Sequence, residues 1–258
     1  MGILNVTPDS FYSNSRVSQN NTLLLLAQKM INDGAAILDI GGQSTRPTST
    51  LLSVQQELDR VIPAIAAVAK HYPNTPISVD TFYSQVAKEA VTCGAKIVND
   101  ISGGQMDIGM IPTVAKLQVP YICMHTRGTP QNMMQKVAYE NVLQSLHDYF
   151  TEKIEACNNA GIVHLILDIG FGFAKTPQQN LLLLKKMKTF TTLGYPLLAG
   201  VSRKSTITTI LSNTTNEALN GTTVLNTIAL LNGANILRVH DVKEAVECVA
   251  LVGAFEGS

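Results

Sequence analysis

The chain has 258 residues, 45% of them apolar and 15% charged, with nineteen Lys and Arg balancing nineteen Asp and Glu. That apolar content is enough to bury a sizeable core and excludes disorder. A net charge of zero argues against a protein whose main work is gripping nucleic acid, and no apolar run approaches the roughly 18 residues that span a bilayer.

Short β-rich runs alternate with helical patterns along the chain. A strand at 2–5 leads to a helix at 22–32, where Leu23 to Leu26, Met30 and Ile31 precede Gly34, a natural helix stop. A strand at 36–40 is followed by a helix at 53–70. Ser53 and Gln56 stand there in capping-box spacing, and Pro63 is expected to kink or end the helix. Further strands are read at 77–80, 96–99, 120–124, 164–168, 197–201 and 236–239. Helices are read at 83–93, 110–117, 138–160, 178–193, 216–232 and 242–255. Eight strand–helix units predict an α/β fold, a (β/α)8 TIM barrel forming a single domain over 1–258, with its active site at the C-terminal face of the strands. A doubly wound open sheet is the alternative.

Met1-Gly2 runs into Ile3-Leu4-Asn5 without the basic start of a secretory signal. Cys93, Cys123, Cys157 and Cys248 form no C-x-x-C pair, so neither a zinc ribbon nor a redox motif fits them. Buried, reduced thiols in a cytoplasmic protein are the reading. His71, His147 and His164 lack metal-ligand spacing and are read as surface or satisfied core residues, and Met133-Met134 as packing.

The first polar residue at or just beyond each strand end is Asn5, Asp39, Asp80, Asn99, His125, Asp168, Ser202 and Arg238. In a barrel all eight are expected to open onto one mouth. Asp often follows a strand simply to cap the next helix, but three such carboxylates, with Asn, His and Arg completing the ring, fit that reading poorly. Two carboxylates, an amide and a lysine are expected to converge there. They suit a flat heterocycle whose paired N–H edge is held in a carboxylate fork. Lys204 is expected to donate to the ring and Asn99 to do both. Arg46, Arg203, Arg238 and His240, with Ser44, Thr45 and Ser205, suit an anionic group such as pyrophosphate. The acids Asp39, Asp80 and Asp168 are expected on one side of the mouth, and Arg46, Lys204, Arg238 and His240 on the other.

Eight motifs in order carry a resemblance. They are Gly2-Ile-Leu-Asn-Val-Thr-Pro-Asp-Ser-Phe11, Asp39-Ile-Gly-Gly-Gln-Ser-Thr-Arg-Pro47, Ser78-Val-Asp-Thr81, Val98-Asn-Asp-Ile-Ser-Gly-Gly104, Met124-His-Thr-Arg-Gly-Thr-Pro130, Asp168-Ile-Gly-Phe-Gly-Phe173, Gly200-Val-Ser-Arg-Lys-Ser205 and Arg238-Val-His-Asp241. The sequence resembles the dihydropteroate synthases. The resemblance implies a transferase of folate biosynthesis that joins 6-hydroxymethyl-7,8-dihydropterin pyrophosphate to p-aminobenzoate, releasing pyrophosphate and 7,8-dihydropteroate. It implies a dissociative route through a dihydropterin cation, Mg²⁺ as cofactor, sensitivity to sulfonamides and a homodimer.

The site implied by the resemblance is a pterin pocket of Asp39, Asp80, Asn99, Met124, Asp168, Phe173, Lys204 and Arg238. Asp80, Lys204 and Arg238 are the catalytic residues, with Asp80 stabilising the developing cation. Arg238 is expected to stack on the pterin. Asn5, which also holds the metal, joins Arg46, Arg238 and His240 around the pyrophosphate. Phe11, Thr45, Pro47, Ser202 and Lys204 form the p-aminobenzoate slot. Departures from the family pattern are Gln43 for Glu, Thr48 for Gly, Ile169 for Pro and Ala174 for Gly, with an atypical first loop at 12–16. Family members also carry a short N-terminal segment over the barrel floor. Here the floor is expected to be closed differently, or the start to be truncated. A non-catalytic pterin-binding protein is the alternative.

Overall fold

The computed structural model describes residues 1–6, 16–43 and 50–257. Eight parallel strands follow one another in chain order: β1 (Gly2–Asn5), β2 (Leu38–Gly41), β3 (Ile77–Asp80), β4 (Ile97–Asp100), β5 (Tyr121–Met124), β6 (Leu165–Asp168), β7 (Leu197–Ala199) and β8 (Ile236–Leu237). A parallel bridge joins Gly2 to Val239, where Ile3 N–H donates to Val239 O and Val239 N–H to Met1 O, each at 2.9 Å. The sheet therefore closes, and the open doubly wound alternative falls.

Described helices are α1 (Arg16–Asn32), α2 (Val54–His71), α3 (Ser84–Thr92), α4 (Met110–Leu117), α5 (Val142–Ala160), α6 (Pro177–Lys185), α7 (Ser205–Leu211), α8 (Leu219–Leu231) and α9 (Val242–Glu256). Helix α1 ends as expected. Ala35 N–H reaches Met30 O and Gly34 N–H reaches Ile31 O, with Gly34 at φ +96°. Helix α2 carries the expected capping box, Ser53 Oγ accepting Gln56 N–H while Gln56 Oε1 accepts Ser53 N–H. Pro63 does not end α2, which runs on through it. Pro63 and Asp59 are exposed, so water can satisfy the carbonyl that loses its partner. Helix α7 was not expected, because Thr206-Ile-Thr-Thr-Ile210 is a β-branched run of low helix propensity. Tertiary packing holds it: Thr206 and Ile207 are buried, and Ile207 sits where a Cβ on Gly221 of α8 would be.

The strand pleat divides the core in two. Outward residues such as Leu38, Ile40, Val79, Val98, Tyr121, Leu165 and Leu167 pack under the helices. Inside the barrel, at the amino-terminal end of the strands, Ile97, Ile122 and Leu198 cluster with Met1, Ile37, Ile166 and Ile236. Two residues further along the same inward face come Asp39, Asn99, Met124, Asp168 and Arg238, with Asp80 beside Asn99 in register. Apolar side chains thus plug one end of the barrel and polar ones line the mouth.

Cys93, Cys123, Cys157 and Cys248 are all free thiols, three of them buried. His71, His147 and His164 are exposed, Met133 is buried and Met134 is exposed. No described helix is long and apolar enough to cross a membrane. The Ser53→Ala variant is expected to lose about 1 kcal/mol through its cap. Differential scanning calorimetry should register this as a melting point lower by about 2–4 °C.

Candidate active site

The mouth is built around Arg238. Its Nε donates to Asp39 Oδ2 at 2.7 Å and a terminal nitrogen donates to Asp80 Oδ2 at 2.6 Å. Asn99 Nδ2 reaches the same Asp39 carboxylate at 3.2 Å, and Asn99 Oδ1 is buried without a partner. The expected division of the mouth into an acidic and a basic side is therefore wrong for Arg238, which lies between two acids. Strands β2, β3 and β8, the last separated from β2 by β1, bring all three onto one inward face, where opposite charges at contact distance offset the cost of burial.

The second focus is Lys204, just beyond β7. Its Nζ donates to Phe171 O and lies 4.7 Å from the centroid of the Phe173 ring. Gly172 packs on its stem, a Cβ there falling 3.0 Å from Lys204 Cδ. Asp168, at the end of β6, accepts Gly170 N–H at 2.7 Å and feels Lys204 electrostatically. Met124 and Phe173 do come together, in an apolar wall with Phe82, Ile101 and Met106. Phe82 and Ile101 were missed from the sequence because single apolar residues after a strand carry no signal distinct from ordinary core.

Burial sets the charge states. It pushes Asp80 up to about 7 against the pull of Arg238, and raises Asp168 against Lys204. It draws Lys204 down to about 8, so this lysine still carries its proton at neutral pH. His240 falls to about 4, from burial first and Arg238 second, and is neutral. Its Nδ1 lies 3.0 Å from Ser202 Oγ, which also accepts His240 N–H at 3.2 Å, so β7 and β8 are tied at the rim. Asn5, at the end of β1, is exposed.

One residue of the expected ring, His125, does not face the mouth, and one of the expected anion-binding arginines, Arg203, is already engaged. His125 follows Met124 by one position and so points outward. It is 2% exposed, edge-on to Tyr149 with centroids 4.8 Å apart. Arg203 is occupied by Asp241, at 2.9 and 2.8 Å, and by the carbonyls of Thr215 and Asn216. It braces the loop instead of serving an anion. Phe11, Ser44, Thr45, Arg46, Pro47 and Thr48 lie outside the described residues.

Two of the departures have a visible basis. Gln43 donates from Nε2 to Thr50 O at 3.3 Å and accepts Leu52 N–H at 2.8 Å, a pair of roles that a carboxylate cannot fill. Ile169 is fully buried in the core.

The model of the pterin binding enzymes matches residues 1–240. The chain belongs to the pterin-binding enzyme family. Within that family it is 42% identical to the dihydropteroate synthase of Escherichia coli, over 98% of this chain and 90% of that one. It is 44% identical to a folic acid synthesis protein of Schizosaccharomyces pombe, but spans only 36% of that longer chain. A dihydropteroate synthase of Yersinia pestis, solved with a sulfonamide drug, superimposes with a TM-score of 0.93 at 39% identity, covering 100% of this chain and 94% of that one. The fold of this pterin-binding family member is thus the TIM barrel of those structures.

Glu57 of α2 was not anticipated as part of this electrostatic group. It is fully buried, neither carboxylate oxygen has a hydrogen-bond partner by distance and angle, and burial raises it to about 7. The unfolded chain ionises Glu57 near 4.5 while the folded chain keeps the proton until about 7. Between those values the folded state binds more protons, so stability falls as pH rises. Urea denaturation from pH 4.5 to 7.5 should show Glu57 contributing a decline of up to about 3 kcal/mol, which Glu57→Gln removes.

Proposed function

We propose that this chain is a dihydropteroate synthase: it transfers the pterin-methyl group of 6-hydroxymethyl-7,8-dihydropterin pyrophosphate to the amine of p-aminobenzoate, releasing pyrophosphate. The observation that carries this reading is the convergence of Asp39, Asp80, Asn99, Asp168, Lys204 and Arg238 in one barrel mouth, in a chain about 40% identical to enzymes of that name. Asp168 accepts from the N–H edge of the pterin, and Asn99 uses its unpartnered oxygen on the same ring. Lys204, protonated, donates to the ring, while Met124 and Phe173 form the apolar wall. Arg238, held by Asp39 and Asp80, presents the remainder of its guanidinium to the ring face and to the departing pyrophosphate.

As the C–O bond to pyrophosphate breaks, positive charge develops on the dihydropterin. Asp80, already oriented by Arg238, stabilises it in a site of low dielectric. The p-aminobenzoate amine then attacks the cation, forming the C–N bond, and its nitrogen releases one proton to the departed pyrophosphate or to water. Ser202 and Lys204, with Phe11, Thr45 and Pro47, form its slot. Asn5, Arg46, Arg238 and neutral His240 receive the pyrophosphate.

Mg²⁺ is part of this reading. Among the described residues no three His, Cys, Asp or Glu side chains converge as a metal cage. The exposed Asn5 amide oxygen at the rim fits an ion that arrives largely coordinated by pyrophosphate and water. Held there by Asn5, the ion would supply charge neutralisation to the leaving group. A homodimer is proposed on the family resemblance.

The test is purified protein with pterin pyrophosphate, p-aminobenzoate and Mg²⁺, with pteroate followed chromatographically. Product formation competed by a sulfonamide is expected; pterin binding without product would favour a binding protein. A folded Asp80→Asn variant is expected to lose about 10²-fold in kcat, and unchanged turnover would remove the charge-stabilisation role.

A further inference from the structure

Behind the loop that carries Phe171 and Phe173 lies a cation that the pocket reading does not use. Lys175 is 2% exposed. Its Nζ lies 2.9 Å from Gly170 O, 3.0 Å from Phe173 O, 3.2 Å from His125 O and 2.9 Å from His125 Nδ1. Three carbonyls and an imidazole nitrogen form the donor set that would solvate a small cation. An ammonium, with three N–H groups and no acceptor, matches it; burial draws Lys175 well below the ordinary lysine value, and Asp168 together with this ring of acceptors is what opposes loss of the proton. His125 complements it. Burial, then Lys175 and Arg127, keep the imidazole neutral, and the tautomer with its proton on Nε2 leaves Nδ1 to accept from the ammonium. The ring is fixed by Tyr149, Tyr139 and Phe150 around it.

On its other side the same loop serves the mouth. Gly170 N–H donates to Asp168, Phe171 O accepts Lys204, and Phe173 lies beneath the Lys204 ammonium. Three alternate residues of the loop are left-handed: Gly170 at φ +69°, Gly172 at φ +80° and Ala174 at φ +49°. Such a backbone persists only where its surroundings over-determine it, most clearly at Ala174, which has a Cβ. A side chain at Gly170 would collide with His125 O at 2.1 Å, so the carbonyls gathered by Lys175 are packed against one another.

We propose that Lys175 is a positioning residue for the pterin pocket: its buried ammonium gathers the carbonyls of His125, Gly170 and Phe173, and so sets Phe171, Phe173 and Lys204 against Asp168. This rests on the pocket being the pterin site. Lys175 also has an electrostatic role, because its charge stands behind Asp168 while Lys204 and Arg238 stand in front, and all three favour the ionised carboxylate.

The experiment compares wild type with Lys175→Met, which keeps length and apolar bulk but removes the cation. Binding of 6-hydroxymethylpterin is measured by calorimetry across pH, together with KM for both substrates and the melting transition. In a cooperatively melting variant, pterin affinity is expected to fall about 10- to 100-fold, as when a supporting partner of a bound group is lost. KM for p-aminobenzoate is expected to rise less than pterin affinity falls, because Lys204 is the one residue of its slot that the clamp sets. The acid limb of pterin binding moves to higher pH, since removing a cation makes Asp168 easier to protonate. Unchanged pterin affinity and acid limb, or equal loss of both substrates, would overturn the proposal. If Lys175→Met does not fold, His125→Phe keeps the ring packed on Tyr149 and deletes only the Nδ1 acceptor. It should lower pterin affinity by less and leave the acid limb in place, since the cation remains, and unchanged affinity counts against the clamp. Wild type that binds no pterin would instead overturn the pocket reading itself.

Discussion

Burying ionic groups at the mouth of a closed barrel is the constraint on which the rest of this structure depends. Asp39 is fully buried and Asp80 and Asp168 nearly so. Each carboxylate taken from water costs several kcal/mol unless a partner is held at contact distance. Arg238 meets two of them, Lys204 faces the third, and Asn99 shares one of the pair. This arrangement leaves little freedom. A guanidinium that bridges Asp39 and Asp80 fixes strands β2, β3 and β8 relative to one another near the open end, where the apolar plug of Ile97, Ile122 and Leu198 no longer reaches.

The same constraint explains why the site is poised for charge chemistry. Asp80 pushed up to about 7 and Lys204 drawn down to about 8 are both closer to neutrality than free side chains. Lys204 keeps its proton at neutral pH, and Arg238 at contact distance pulls Asp80 towards the carboxylate against burial. A cation forming beside Asp80 finds a carboxylate already oriented by Arg238, so little reorganisation accompanies the reaction. Behind the mouth, buried Lys175 and neutral His125 do for the loop backbone what Arg238 does for the strands.

The fold was largely legible in the chain. Eight β-rich runs, the Ser53–Gln56 cap and the Gly34 stop mark local preferences that the tertiary structure reinforces. Helix α7 was not legible, since its β-branched run prefers extended backbone until Ile207 packs against Gly221. The course of α2 through Pro63 was not legible either, because the sequence does not say which side of a helix meets water. Much of the candidate site could be read by listing the first polar residue after each strand. That rule fails where the pleat reverses: Asp39, Asn99 and Asp168 stand on the inward face, while His125, one residue beyond Met124, turns out to Tyr149 and Lys175.

By itself the sequence determined the eight-unit barrel, the family and the inventory of charged groups at the strand ends, because those follow from local periodicity and from motifs contiguous in the chain. Only the tertiary structure decided which charges meet. Arg238 bridges Asp39 and Asp80, Arg203 is spent on Asp241, and Lys175 is enclosed by three carbonyls. These pairings join residues far apart in the chain, and strand parity and burial select them. Parity sets which side chains share a face, and desolvation leaves an ion there only where a partner is within reach.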